Sequence, residues 1–281
     1  MSNTLIALLG LMVGAIAEAF ILYYILNLLQ ETGAVRQNYQ GIDIPVGTGI
    51  SFSVSVMIAF LVYGLLSRYD VSFHIYLLGL VAISFLGFID DILGQRDTMG
   101  FKGHFGALFK GRLTTGGLKA LGGGLIAFFL AFFLSGNETW WYEWANIILN
   151  TLIMALFTNT LNLFDLRPGR AVKAYFVFLA AIIALAAGNI NWLLLTPLLG
   201  AVIYYAAGDL KAKTMMGDAG SNVLGLALGY LSVVSLSLPV RVGMLVFLIG
   251  IHIYTEKYSL TKTIEKVPFL KAIDELGREN N

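Results

Sequence analysis

An all-α, polytopic membrane protein of about nine spanning helices is the fold this sequence predicts. Three observations carry that expectation. Of 281 residues, 58% are hydrophobic and only 12% are charged, with mean hydropathy +0.79; soluble domains carry roughly 25% charged residues. Apolar runs long enough to cross a bilayer recur from end to end, and about 20 such residues span one as a helix. The basic residues fall almost entirely on alternate connections, 16 of the 18 on one set.

The runs lie near 4–29, 48–66, 72–90, 117–135, 144–162, 171–187, 192–207, 221–238 and 240–255. The first, with Ala15-Ile16-Ala17 resembling a cleavage site, has no Lys or Arg before Arg36 and is too long for a signal peptide. Continuous rather than alternating apolarity favours helices over a barrel. Short connections at 67–71, 136–143, 188–191 and 239 alternate with longer ones at 30–47, 91–116, 163–170, 208–220 and 256–281. Arg68 and Arg241 are alone on the short-loop side. The positive-inside rule then puts the long loops in the cytoplasm, the N-terminus outside and the C-terminus inside. Trp140, Trp141, Tyr142 and Trp144 fit an outer aromatic belt. Two regions are expected: a helical domain over 1–255 and an amphipathic cytoplasmic tail over 256–281, lying on the membrane or covering a site. Within that tail Asp274 is expected to have no part in the chemistry. Without cysteine there is no disulfide framework. The net charge of +1 points to no partner, and nucleic acid is not expected as one.

Candidate chemistry gathers at helix ends. The third run stops on Asp90-Asp91, and ionised groups at such depth are costly and usually functional. Successive helical residues point about 100° apart, so one acid suits a metal and the other a base or supporting role. The plain alternative is a solvated helix end. Asn159 and Asn162 share a helix face, with Asp165 three residues on. They suit recognition of a base or sugar edge, or simple interhelical hydrogen bonding. Arg167 and Arg170 flank Pro168-Gly169 and are placed to clamp diphosphate, or else are topology signals. Gly217-Asp218-Ala219-Gly220-Ser221 opens the eighth run, where glycines let a ligand approach and a helix N-terminus favours phosphate. Gly111-Arg112-Leu113-Thr114-Thr115-Gly116-Gly117-Leu118-Lys119 is compatible with a phosphate-cradling loop but lacks a Walker A ending. Asn38 to Gly49 reads only as a turn. Hard oxygen ligands without Cys or clustered His point to Mg²⁺, or Mn²⁺. Beside phosphate-binding groups such an ion suits phosphoryl transfer, and the membrane setting implies a lipid phosphate.

Together these stretches resemble the polyprenyl-phosphate N-acetylhexosamine-1-phosphate transferases, the MraY/WecA type of glycosyltransferase family 4. Asp90-Asp91 matches that family's acid pair; Asn159, Asn162 and Asp165 match its N-x-x-N-x-x-D segment; Gly217, Asp218, Gly220 and Ser221 match its G-D-x-G-S segment. Pro45-Val46-Gly47 looks like its first cytoplasmic motif, and Lys119 like the basic residue before its fourth helix. The resemblance implies Mg²⁺-dependent transfer of a sugar-1-phosphate from a UDP-N-acetylhexosamine to undecaprenyl phosphate, releasing UMP, on the cytoplasmic face of the plasma membrane. It implies catalytic roles for Asp90, Asp91 and Asp165 and metal binding by Asp91 and Asp218. Substrate contacts are implied for Asn159, Asn162, Arg167, Arg170, Lys119, Gly217 and Ser221. The sequence departs from the family twice. Pro168 stands where a second loop acid is expected, and no histidine cluster follows Glu256-Lys257-Tyr258-Ser259. His252 and His104 are the nearest substitutes. A non-catalytic homologue binding polyprenyl phosphate or an envelope-assembly partner is the alternative, and a lipid-phosphate transporter, suggested by mid-span Glu18, is a further one. A homodimer stays open, as does the identity of the sugar.

Overall fold

A computed structural model describes residues 2–66, 71–94, 114–136 and 139–278. Among the described residues, the regular elements are helices apart from one small hairpin. In order the elements are α1 (Asn3–Glu31), β1 (Val35–Gln37), β2 (Asp43–Pro45), α2 (Ile50–Leu65), α3 (Val71–Leu93), α4 (Thr115–Phe133), α5 (Trp140–Phe164), α6 (Arg170–Leu185), α7 (Trp192–Leu210), α8 (Gly217–Ser235), α9 (Leu238–Lys257), α10 (Leu260–Lys266) and α11 (Pro268–Glu275). Each apolar run of the sequence coincides with one of α1 to α9. Six of these, α1, α3, α4, α5, α7 and α9, are long and apolar enough to cross a membrane. Arg68, Arg96, Lys102, His104, Lys110 and Gly111–Leu113 lie outside the described residues.

α8 is the axis of the bundle. Sixteen of its residues are buried, and α2, α3, α5 and α6 all pack against it. In a membrane, helices associate by close backbone approach, and small residues permit it. On α8, Gly225 meets the carbonyl of Phe157 and Gly229 meets Met154, where an added Cβ would lie within 2.6 Å. Gly14 and Gly200 play the same part between α1 and α7: a Cβ on either would lie 2.0 Å from a backbone oxygen of the other helix. Leu5, Leu8, Met12, Ile16 and Phe20 line the outer side of α1 and are exposed, as a lipid-facing stripe must be.

Glu18 is wholly buried in the middle of α1, where Ser51 and Ser55 of α2 donate to its two oxygens at 2.5 and 2.8 Å. A buried polar group is tolerated when it is satisfied, so Glu18 ties α1 to α2.

The stretch before α2 is more than a turn. β1 and β2 pair antiparallel, with Val35 opposite Pro45 and Gln37 opposite Asp43. The tip is held by the Asn38 carboxamide, whose oxygen accepts from the amides of Gln40 and Ile42. Val46 then bridges to Met215, and the Thr48 hydroxyl donates to the Met215 carbonyl at 2.8 Å. The hairpin thereby pins the loop that leads into α8.

The charge asymmetry yields a test of orientation. A cysteine at Gln40, on the hairpin, is expected to resist an impermeant thiol reagent added outside cells, and one at Asn189, between α6 and α7, to react; both sites are exposed. The native chain has no cysteine to confuse the readout. The opposite labelling pattern would move every acid discussed below to the outer face.

Candidate active site

The acids gather around the N-terminus of α8. A helix leaves its first amides without partners, and in α8 a distant residue supplies them. The Asp91 carboxylate accepts from the Asp218 amide through Oδ1 and from the Ala219 amide through Oδ2, both at 2.9 Å. Both charge-assisted bonds are of the strong kind, and Asp91 is only 6% exposed. Gly217 makes this possible: its φ is +67°, and a Cβ there would lie 2.4 Å from Asp91 Oδ2. Arg36 of the hairpin donates to the Asp91 carbonyl at 2.6 Å. The sequence assigns Asp91 to a metal, whereas the structure has both its oxygens engaged with backbone.

Its neighbour Asp90 points elsewhere, as the 100° offset requires. The Asp90 and Asp218 carboxyls lie within hydrogen-bonding reach of each other. Lys119 of α4 sits against both, in contact with Asp218 and 3.8 Å from Asp90 Oδ2. Asn162 closes the group. With its amide nitrogen toward Asp218 Oδ1, its oxygen accepts from Lys119 Nζ at 2.7 Å. The Ser221 hydroxyl is 3.3 Å from the same amide. Asp90 and Asp218 are each 20% exposed, so both remain within reach of a ligand.

Asp165, the residue capping the C-terminal end of α5, lies beside the Gly217 amide. Burial pushes its carboxyl well above the usual range, and Asp209, Asp218 and Asp91 push it further. An excess of buried negative charge is relieved by protons or by a cation. Asn159, one turn before Asn162, is half-buried on the same helix.

Two of the substrate contacts expected from the sequence are committed elsewhere. Arg167 pairs with Glu265 of α10 at 2.6 Å. Arg170 is 3% exposed and makes a two-pronged pair with Asp274 of α11, Nε to Oδ1 at 2.8 Å and Nη2 to Oδ2 at 3.0 Å. Asp274, expected to have no part in the chemistry, is buried in this pair. His252 lies within α9, its Nδ1 2.8 Å from the Leu248 carbonyl of its own helix. Asp209 escaped the sequence reading altogether: it is 3% exposed at the end of α7 and accepts from the Gly169 amide at 3.1 Å. A carboxylate just before a Lys-rich loop looks solvated in sequence, so no local signal marked it.

Residues 73–236 match glycosyl transferase family 4. The chain belongs to that family. The match covers more than half the chain and includes every acid around the α8 N-terminus, together with Lys119, Asn159, Asn162 and Ser221. In this family 4 member the hairpin and the tail that carries Asp274 fall outside the matched range. No curated protein matches the chain.

A divalent ion can be tested against these groups. Among the described residues no three His, Cys, Asp or Glu side chains converge as a ready-made cage. Mg²⁺ seldom uses one; it takes one or two carboxylates and completes its shell with water and substrate phosphate. Asp90 and Asp218 are two adjacent, accessible hard-oxygen groups of that kind, with the Asn162 amide oxygen beside them. The donor set fits.

Proposed function

We propose that this chain is a membrane phosphoglycosyltransferase. It moves a sugar-1-phosphate from a UDP-N-acetylhexosamine-type donor to undecaprenyl phosphate and releases UMP, at the cytoplasmic face of the plasma membrane and for cell-envelope glycan synthesis. The observation that carries the reading is the convergence of Asp90, Asp218, Lys119 and Asn162 at the N-terminus of a buried helix. The α8 amides and Lys119 offset part of the negative charge of Asp90, Asp91, Asp165 and Asp218, and a cation would offset the rest.

In the reaction an oxygen of the lipid phosphate attacks the donor phosphorus that bears the sugar. The bond to the UMP phosphate breaks, and UMP leaves with that bridging oxygen. Negative charge builds on the transferred group and the leaving phosphate. Catalysis of this kind rests on positioning and charge stabilisation. Lys119 faces the phosphates. Asp90 and Asp218 would hold Mg²⁺, or Mn²⁺, which when bound neutralises phosphate charge. Asp91 keeps the α8 terminus in place. Asn159, Asn162 and Asp165 line the side where nucleotide or sugar would lie, near Gly217 and Ser221. Asp90, beside Asp218 and Lys119, would also be the group to take a proton from the lipid phosphate.

The second reading, a homologue that binds polyprenyl phosphate without turnover, draws on the capture of Arg167 and Arg170 by the tail, which removes two cations a diphosphate would use. The purified protein in detergent, given undecaprenyl phosphate, Mg²⁺ and a panel of UDP-N-acetylhexosamines, is expected to release UMP with one donor. Nucleotide binding with no UMP from any donor would support the second reading instead.

A further inference from the structure

The loop between α5 and α6 carries Asp165 into the site, yet most of its side-chain anchors come from the tail. Arg167 pairs with Glu265. The Pro168 carbonyl accepts from Arg278 Nη2 at 3.1 Å. Arg170 is gripped by Asp274 and also donates to Thr261 Oγ1 at 3.0 Å. Arg278 returns to Asp274 through both terminal nitrogens, at 3.2 and 3.3 Å. Lys173, on the first turn of α6, donates to the Asp274 carbonyl. Leu210 is wedged between loop and tail: a Cβ on Gly169 would lie 2.4 Å from it, and one on Gly277 3.5 Å. From below, Asp209 holds the Gly169 amide.

We propose that the tail is a clamp on the active-site loop and that Asp274 is a positioning residue for the proposed transfer reaction. Asp274 touches no reacting atom. It holds Arg170 and Arg278, these hold the 167–170 turn, and the turn sets Asp165 against the Gly217 amide at the start of α8. The inference rests on the function proposed above for its kinetic consequence, though not for its structural one. It also accounts for the capture of the arginines: they are spent on holding the loop rather than on phosphate. An exposed ion pair alone would contribute little. This cluster differs because Arg170 and Asp274 are both nearly sealed, at 3% and 7% exposed, so loss of one partner strands the other.

The test is hydrogen–deuterium exchange on the full-length protein in detergent, with Asp274→Asn and Asp274→Glu. In Asp274→Asn we expect exchange of the 165–170 segment and of the amides of Gly217, Asp218 and Ala219 to rise by about tenfold or more, with Asp274→Glu restoring most of the protection. If the tail merely frays while the α8 amides keep wild-type protection, the clamp is overturned. Should Asp274→Asn fail to fold, Arg278→Gln removes the hold on Pro168 while leaving the Arg170–Asp274 pair, and the same two segments are read. In the transfer assay Asp274→Asn is expected to lower kcat more than it raises KM for the donor; a pure KM effect would contradict a positioning role. A wild type that shows no transfer would sink the proposed function, and the exchange result would then decide the clamp alone.

Discussion

Asp218→Ala is expected to reduce sugar-phosphate transfer by at least about a thousandfold, the scale seen when a charge-stabilising group is taken from a preorganised site. Asp218 meets Lys119, Asp90 and Asn162 at once, so its removal frees Lys119 to swing and leaves Asp90 as the only accessible carboxylate of the pair. Fold stability should change little, by about 1 kcal/mol or less, because a like-charged neighbour of Asp90 is lost along with a partner of Lys119. Initial rates of UMP release and thermal unfolding, measured on the same preparation, check both halves. An Asp218→Ala variant retaining a tenth of wild-type activity would place the chemistry elsewhere.

Asp91 is expected to behave in the opposite proportion. Asp91→Ala strips the part-buried Asp218 amide and the buried Ala219 amide of their carboxylate cap. Each unsatisfied buried group costs about 1–3 kcal/mol, so a loss of about 2–5 kcal/mol is anticipated, together with loss of activity as the α8 terminus shifts. Asp91→Asn keeps one acceptor oxygen and turns an N–H group toward a backbone N–H, and should recover less than half of that stability. The unfolding midpoint in detergent separates the two adjacent acids: a large fall for Asp91→Ala and a small one for Asp90→Ala. Equal falls would mean that Asp91 is not the cap described here.

The Asp274 ion pairs of the tail clamp are expected to hold across the neutral range. Burial raises the Asp274 carboxyl, but Arg170 and Arg278 outweigh it and hold the group below the ordinary carboxylate range. A depressed acid contributes its stability in full above its unfolded pKa and loses it only as pH falls through the folded one.

Long-range hydrophobicity was the most legible part of this chain. The apolar runs marked α1 to α9 because a bilayer-length segment has few alternatives to a helix. Three acidic helix ends on the long-loop side suggested a shared site, and Asp91, Asp165 and Asp218 do come together around Gly217, with Asp90 beside Asp218. Partner choice was not legible. Arg167 and Arg170 beside Asp165 read as a phosphate clamp, since nothing local distinguishes a guanidinium that awaits a ligand from one that pairs with an acid about a hundred residues on. Nor does anything local show that Asp91 caps backbone amides, which every sequence has everywhere. The hairpin at Val35–Pro45 was read as a turn because three-residue strands leave almost no alternation to detect. Asp209 and Asp274 sit in charged surroundings that in most proteins face solvent, and only tertiary packing buries them.

The central claim is that Asp90 and Asp218 form a cation-dependent phosphate site at the start of α8. The most direct measurement is thermal unfolding of the purified protein with Mg²⁺ and UMP, separately and together. Any ligand selective for the native state must raise the midpoint, by about 2.7 kcal/mol of stability at a hundred times its Kd. The account predicts a clear rise for wild type with both ligands, most of it lost in Asp218→Ala and kept in Glu31→Ala, an exposed acid at the end of α1. Equal stabilisation of wild type and Asp218→Ala would contradict it.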